Sequence, residues 1–143
     1  MMNEGMQETK TDNLLELKTQ WGGTERVSLE ISQYVNNGCI YIGLVSFEDE
    51  FPEPYGDLTV NLSGKVPDYC GYVDLNNMPE LEQFIEENKL GEFTGLVKRS
   101  GYCEYPLYLF DADRLKELCP DGMQAYEADI GKGRDIKVTE RAR

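Results

Sequence analysis

The longest apolar run of the chain covers residues 38–47 and is rich in β-branched and aromatic side chains. Because its apolar positions are nearly continuous rather than alternating, we expect a strand that is buried on both faces. Asn36-Asn37-Gly38 before it suits a tight turn, since Asn and Gly tolerate positive φ. Residues 48–57 after it hold five acids and two prolines, which favour a loop outside any sheet. The pattern therefore predicts a central strand that leads into an acidic loop.

Alternating apolar and polar positions predict further strands on both sides of this run. These strands cover residues 15–21, 26–32, 58–63, 69–74, 93–99 and 105–110. The connections between the early strands are too short for crossovers, so we expect a meander with antiparallel pairing. Pro106 cannot donate a backbone hydrogen bond, which predicts that the last strand lies at an edge or is interrupted.

Two short helices are also predicted. Asn76-Asn77-Met78-Pro79 is typical of a helix start, and Leu81, Phe84 and Ile85 follow it with helical spacing, so they should cover the sheet. Asp111 can cap a second helix, which Pro120 should end. The predicted class is α+β: an antiparallel meander sheet with one or two helices packed on one face.

The domain organisation follows from the same pattern. Residues 1–12 are polar, which predicts a disordered N-terminus, and residues 13–120 are long enough for a single α+β domain with a hydrophobic core. Residues 121–143 show no sustained apolar period and predict a mobile, basic C-terminal tail. We expect a cytoplasmic protein, because the chain shows neither a signal peptide nor an apolar run of about 20 residues.

The negative charge is concentrated in the body of the chain. The net charge is −13, but the last 13 residues hold five basic and two acidic side chains, so the preceding 130 carry −16. Such a body repels phosphate groups, which argues against direct binding to nucleic acid or to an anionic membrane. It can attract a basic protein surface, including one that normally holds nucleic acid. The alternative is that the acidity only keeps the protein soluble.

Histidine is absent, which excludes Ser–His and Cys–His nucleophile pairs and most catalytic zinc sites. The four cysteines, Cys39, Cys70, Cys103 and Cys119, lie far apart without a Cys-x-x-Cys pair, so we interpret them as small buried apolar residues. We therefore predict a protein that is not an enzyme and has no catalytic residue, metal site or cofactor. A carboxylate- or cysteine-based enzyme is the third-ranked alternative.

Two stretches are candidates for partner binding. The first is the acidic loop, where two aromatic side chains sit among the acids, and the second is a tyrosine-rich turn near residue 103. The predicted partner-binding residues are Glu48, Asp49, Glu50, Phe51, Glu53, Tyr55, Asp57, Tyr102 and Tyr108. The alternative for both stretches is that the aromatic side chains only cover the edges of the sheet.

Several separated motifs occur in the same order in a known bacterial family. They are Tyr55-Gly56-Asp57-Leu58-Thr59-Val60-Asn61-Leu62, Asp74-Leu75-Asn76-Asn77, Phe84-Ile85-Glu86-Glu87-Asn88 with Leu90-Gly91, and Ser100-Gly101-Tyr102-Cys103-Glu104-Tyr105-Pro106-Leu107-Tyr108. Over about residues 26–118 the chain resembles domain-of-unknown-function family 4313, small acidic proteins of gut bacteria and their mobile elements. The family commonly has Pro-Trp after its Asn-Asn pair, whereas Met78-Pro79 stands here. No catalytic residues are established for that family, so the resemblance carries none over.

These observations lead to one function hypothesis and a runner-up. The leading hypothesis is a non-enzymatic acidic protein that binds a basic protein surface. The mobile-element association suggests a concrete version, in which it mimics nucleic acid and inhibits a host defence nuclease or another DNA-binding protein. The runner-up is a small accessory domain that recognises its partner by shape.

Overall fold

The computed structural model describes residues 13–48 and 51–142, and side chains as far as residue 131. Its elements are β1 (Leu15–Lys18), β2 (Thr24–Gln33), β3 (Ile40–Ser46), β4 (Glu53–Asp57), β5 (Thr59–Val60), β6 (Cys70–Val73), α1 (Leu81–Glu87), β7 (Gly91–Ser100), β8 (Cys103–Phe110), α2 (Ala112–Leu118) and α3 (Pro120–Ala142). The α+β class is confirmed. The predicted disordered N-terminus over residues 1–12 lies outside the described residues, as do Asp49 and Glu50.

The first sheet contains the predicted meander. Its strand order is β1-β2-β3-β4, and every neighbouring pair is antiparallel. Strand β3 lies in its interior, with Ile40, Ile42 and Leu44 at most 2% exposed. Tyr41 and Val45 on the opposite face are half-buried, so the predicted burial on both faces is complete for one face and partial for the other.

The acidic stretch departs from the prediction of a loop. Residues Glu53–Asp57 form β4, an edge strand that pairs with β3, and Pro54 lies opposite Val45 next to a bulge in the register. An edge strand tolerates a proline because one side of its backbone needs no ladder partner. Proline and charge here mark a sheet edge rather than a loop.

The chain passes into a second sheet at Leu58, where the single predicted sheet divides in two. The Leu58 N–H donates to the Ile42 carbonyl of β3 (2.9 Å), and its own carbonyl accepts from the Asp74 N–H (3.1 Å). The second sheet has the order β5-β6-β8-β7. Strand β8 is thus interior, contrary to the expected edge position, but its pairing with β6 ends at Leu107. Pro106 therefore needs no partner on that side.

Helix α1 contacts both β1 and β7, the outer strands of the two sheets. Leu81, Phe84 and Ile85 are buried against the sheets, as their spacing predicted. On the solvent side, Lys18 of β1 forms a salt bridge with Glu87 at 3.3 Å. Helix α1 therefore connects the outer strands of the two sheets, and one side of the helix faces β7.

The predicted mobile tail over residues 121–143 differs from the structure, which continues as α3 from Pro120 to Ala142. Met123 and Tyr126 are buried in the core, and the Tyr69 N–H donates to the Tyr126 hydroxyl at 2.9 Å. Helix α2 ends at Leu118, before Pro120 as predicted, and Pro120 occupies the first position of α3, which proline favours. The sequence pattern missed this helix because its apolar residues show no sustained helical period and it contains Gly122, Gly131 and Gly133, which disfavour helix. The folded domain extends beyond the predicted boundary at residue 120.

Candidate functional site

Part of the predicted acidic stretch is engaged within the fold. The Glu48 carboxylate accepts hydrogen bonds from the Arg26 backbone N–H (2.7 Å) and from Arg26 Nε (3.2 Å). The first of these bonds is the main reason that the pKa of Glu48 lies below its usual value. Glu48 thus joins the acidic stretch to β2.

Two further members of this stretch also have partners inside the protein. Asp57 accepts a hydrogen bond from the Tyr41 hydroxyl at 2.7 Å, and burial followed by the bond to Asp57 raises the pKa of Tyr41. Tyr55 is half-buried and packs against the core cluster. Among the predicted binding residues that the structure describes here, Glu48, Phe51, Glu53 and Asp57 are exposed, with Phe51 70% accessible; Phe51 and Glu53 make no side-chain hydrogen bond with a described residue. Glu48, Tyr55 and Asp57 therefore contribute to the fold at this edge, and a role of the stretch in partner binding stays a prediction.

The two predicted tyrosines of the second stretch lie in different environments. Tyr102 is fully exposed in the turn between β7 and β8. Tyr108 is only 5% exposed, and its ring lies 5.9 Å from that of Phe93. The two tyrosines therefore do not belong to one surface. Tyr108 lines a different candidate site, which is described next.

A groove runs between the flank of α1 and the start of β7. We call it the α1–β7 groove and define it by Glu82 and Glu86 of α1, Gly91, Glu92 and Phe93 of β7, and Tyr108 of β8. Its volume is about 230 Å³, and it continues past Glu86 and Glu92 into a wider hollow bordered by Lys89 and Leu109. Gly91 lets β7 approach β8 closely at this point, because a Cβ there would lie 2.6 Å from the Leu109 carbonyl oxygen.

The acids of the groove have no internal partners. In the described part of the chain, Glu82, Glu86 and Glu92 are exposed and take part in no side-chain hydrogen bond or salt bridge. Glu82 and Glu86 lie one turn apart, where like charges destabilise a helix, and Glu86 adds negative charge to the last turn. Glu82, in the first turn, complements the helix dipole, whereas the Glu86 carboxylate does not stabilise the helix that carries it.

Aromatic rings form the floor of the groove. Phe93 is 50% exposed, and Tyr108 lies between it and Phe110, stacked on Phe110 with centroids 6.4 Å apart. Burial, and then the charges of Glu82 and Glu86, raise the pKa of Tyr108, so its hydroxyl stays protonated at neutral pH. That hydroxyl makes no hydrogen bond with any described residue, and it is not among the fully enclosed unpaired atoms. It therefore opens onto the groove.

Sequence analysis identified Tyr108 but missed the rest of this site. Glu82 and Glu86 read as the solvated face of a helix, and Phe93 as an ordinary strand residue. The one local signal was a helix with acids at positions four apart and none of the lysines that usually balance them. The juxtaposition of α1 with β7 requires the tertiary fold.

Other kinds of site find little support. No cluster of His, Cys, Asp or Glu able to hold a metal ion occurs among the residues that the structure describes. The four cysteines are free thiols; Cys70 is buried and the other three are half-buried. Across residues 13–48 and 51–142, no helix has the length and apolar character needed to cross a membrane.

Comparison with known proteins identifies the chain at the level of its family. No curated protein and no solved structure matches it significantly. A family model, described as a domain of unknown function (DUF4313), matches residues 28–130. This match includes the motifs that carried the resemblance, both sheets from β2 onward, the α1–β7 groove and the buried turns of α3. Because the match covers most of the sequence, the chain belongs to the DUF4313 family.

Proposed function

We propose that this protein is a non-enzymatic acidic binding protein that docks onto a basic protein surface in the cytoplasm. The observation that carries the proposal is the α1–β7 groove, in which three exposed carboxylates without internal partners flank a half-exposed phenylalanine. Aromatic side chains within a charged rim are typical of protein interfaces. The charge of −16 on residues 1–130 adds long-range attraction for a basic partner.

A concrete form of this function is nucleic-acid mimicry. A protein that binds DNA or RNA carries a basic surface, and an acidic protein can occupy that surface in place of the phosphates. The association with mobile elements that the resemblance implies suggests the target: a host defence nuclease or another DNA-binding protein that such an element would inhibit.

A separate observation supports a second candidate function. Strand β7 is an edge strand with exposed Phe93, Leu96 and Val97, and Leu109 of β8 is 43% exposed beside it. Exposed apolar side chains on a sheet edge favour association by shape and apolar contact. In that case the protein is a small accessory interaction domain, and its affinity depends little on salt.

The test is an affinity pull-down from a bacterial lysate with identification of captured proteins by mass spectrometry. Parallel samples are washed at low and high salt, and one is challenged with duplex DNA. A DNA-binding partner that is retained at low salt, and released by salt or by DNA, supports mimicry. A partner that survives both treatments supports the accessory domain instead. Capture of no partner contradicts both candidates.

A further inference from the structure

We propose that the α1–β7 groove is a receptor for one arginine side chain of the partner, held by Glu82 and Glu86 over the Phe93 ring and the Tyr108 hydroxyl. This inference rests on the proposed function and names the chemistry that its partner must present. The size of the groove comes first. The part that contains Tyr108 has a volume of about 230 Å³, which suits a single side chain, and the rest of the partner can lie over the wider hollow beside it.

The charge of the groove selects a cation. Glu82 and Glu86 project from the same face of α1, one turn apart, and Glu92 lies across from them on β7. The cation that borders this region, Lys89, lines the wider hollow and not the part that contains Tyr108. A partner's cation would therefore relieve the repulsion between carboxylates that the fold leaves uncompensated.

The floor of the groove favours arginine over lysine. Only 5% of the Tyr108 surface is exposed, yet its hydroxyl makes no hydrogen bond with a described residue. Because this hydroxyl opens onto the groove, its oxygen can accept a hydrogen bond from a bound cation. A planar guanidinium can stack on Phe93, donate to Tyr108 Oη, and still present donors to two carboxylates, whereas an ammonium offers fewer donors without a plane.

The experiment titrates the isotope-labelled protein with N-acetyl-arginine methylamide and follows backbone amide shifts by NMR. The probes for comparison are the lysine analogue and the uncharged citrulline analogue. We expect saturable shifts confined to residues of α1 and the β7–β8 strands near the groove, with affinity in the order arginine, lysine, citrulline. Shifts spread evenly over the acidic surface, or equal responses to arginine and citrulline, would overturn the proposal.

Variants locate the binding to these side chains. Glu82→Gln with Glu86→Gln should weaken arginine binding by about tenfold, and Tyr108→Phe by a few fold, because each removes acceptors and preserves shape. Glu16→Gln, an exposed acid on β1, is the matched control and should bind like the wild type. The spectra themselves report whether each variant is folded. Unchanged binding in the double variant contradicts the inference.

The two proposals fail in different ways. If the lysate pull-down yields a salt-sensitive basic partner but arginine does not bind in the groove, the inference is wrong and the acidic binding function stands. If arginine binds in the groove but no basic partner is captured, the groove recognises guanidinium groups and the proposed function is wrong.

Discussion

Two acidic regions of this protein use their carboxylates differently. At the β4 edge, Glu48 and Asp57 accept hydrogen bonds from Arg26 and Tyr41, so these acids hold strands together. In the α1–β7 groove, the carboxylates face an aromatic floor and lack partners among the described residues. A carboxylate that already accepts hydrogen bonds within the fold has fewer acceptor sites left for a ligand, whereas an unpaired carboxylate keeps all of its acceptor sites. Acidic composition therefore does not distinguish the two regions, whereas the distribution of hydrogen-bond donors does, and this is the basis of the proposed site.

The two regions should differ most in how strongly partner binding weakens when negative charge is removed from each of them. Glu82→Gln with Glu86→Gln should weaken binding of the captured basic partner by about tenfold or more, roughly 1.4 kcal/mol or above. Glu48→Gln with Glu53→Gln removes the same charge from the β4 edge and should weaken binding much less. Isothermal titration calorimetry at fixed ionic strength measures both.

The matched design separates site from net charge, because both double variants have the same net charge. Equal losses in both would mean that the partner senses the acidic body as a whole, and the contrast between the regions would fail. Circular dichroism verifies that each variant retains its fold.

The next effect concerns the exposed aromatic side chain of each region. Phe93→Ser should weaken partner binding by about fivefold, because it removes an apolar contact at the centre of the groove. Phe51→Ser changes a more exposed ring, 70% accessible against 50%, beside the β4 edge and should leave affinity nearly unchanged. Surface plasmon resonance of both variants against the same partner provides the measurement. A larger loss for Phe51 would move the binding site to the edge that the sequence first suggested.

Local patterns predicted the parts of this fold that depend on local interactions. Leu81, Phe84 and Ile85 identified the buried face of α1, and Asp111 caps α2 by accepting from the Arg114 N–H at 3.0 Å. The alternation of β2 and the continuous apolar run of β3 likewise depend only on which faces are buried. These features follow from spacing along the chain, which a single sequence contains.

The remaining features depend on contacts between distant residues. The chain leaves the first sheet at Leu58 because that residue bonds to both Ile42 and Asp74, and no local pattern encodes such a choice. Helix α3 is held in part by Tyr69, which is 57 residues away from Tyr126. The α1–β7 groove also combines residues from separate segments of the chain. Of the predicted binding residues, it contains only Tyr108.

A smaller contrast lies between two tyrosine hydroxyls. Tyr41→Phe should lower the free energy of unfolding by about 0.5 kcal/mol, the low end for one hydrogen bond, since the bond to Asp57 is solvent-exposed. Tyr108→Phe should not lower it, because that hydroxyl has no partner among the described residues. Urea unfolding with unchanged m values measures both. Destabilisation by Tyr108→Phe would show that its hydroxyl supports the fold, and would remove it from the proposed receptor.

The smallest effect is a pH dependence at the β4 edge. The Arg26 backbone N–H favours the charged form of Glu48 and lowers its pKa from the usual 4.5. Because the folded pKa is the lower one, the stabilisation is present above about pH 4.5 and is lost as pH falls through the folded value. Glu48→Gln should therefore be less stable than the wild type at pH 7, and the difference should shrink on acidification.

Urea unfolding of both proteins from pH 7 to pH 3 measures this difference. Glu53→Gln, which removes a neighbouring charge without a hydrogen-bond partner among the described residues, is the control and should follow the wild type. A gap between wild type and Glu48→Gln that stays constant with pH would mean that the Arg26 contact is not electrostatic. Without that contact, Glu48 would be as free to bind a partner as the acids of the groove, and the contrast between the two regions would weaken.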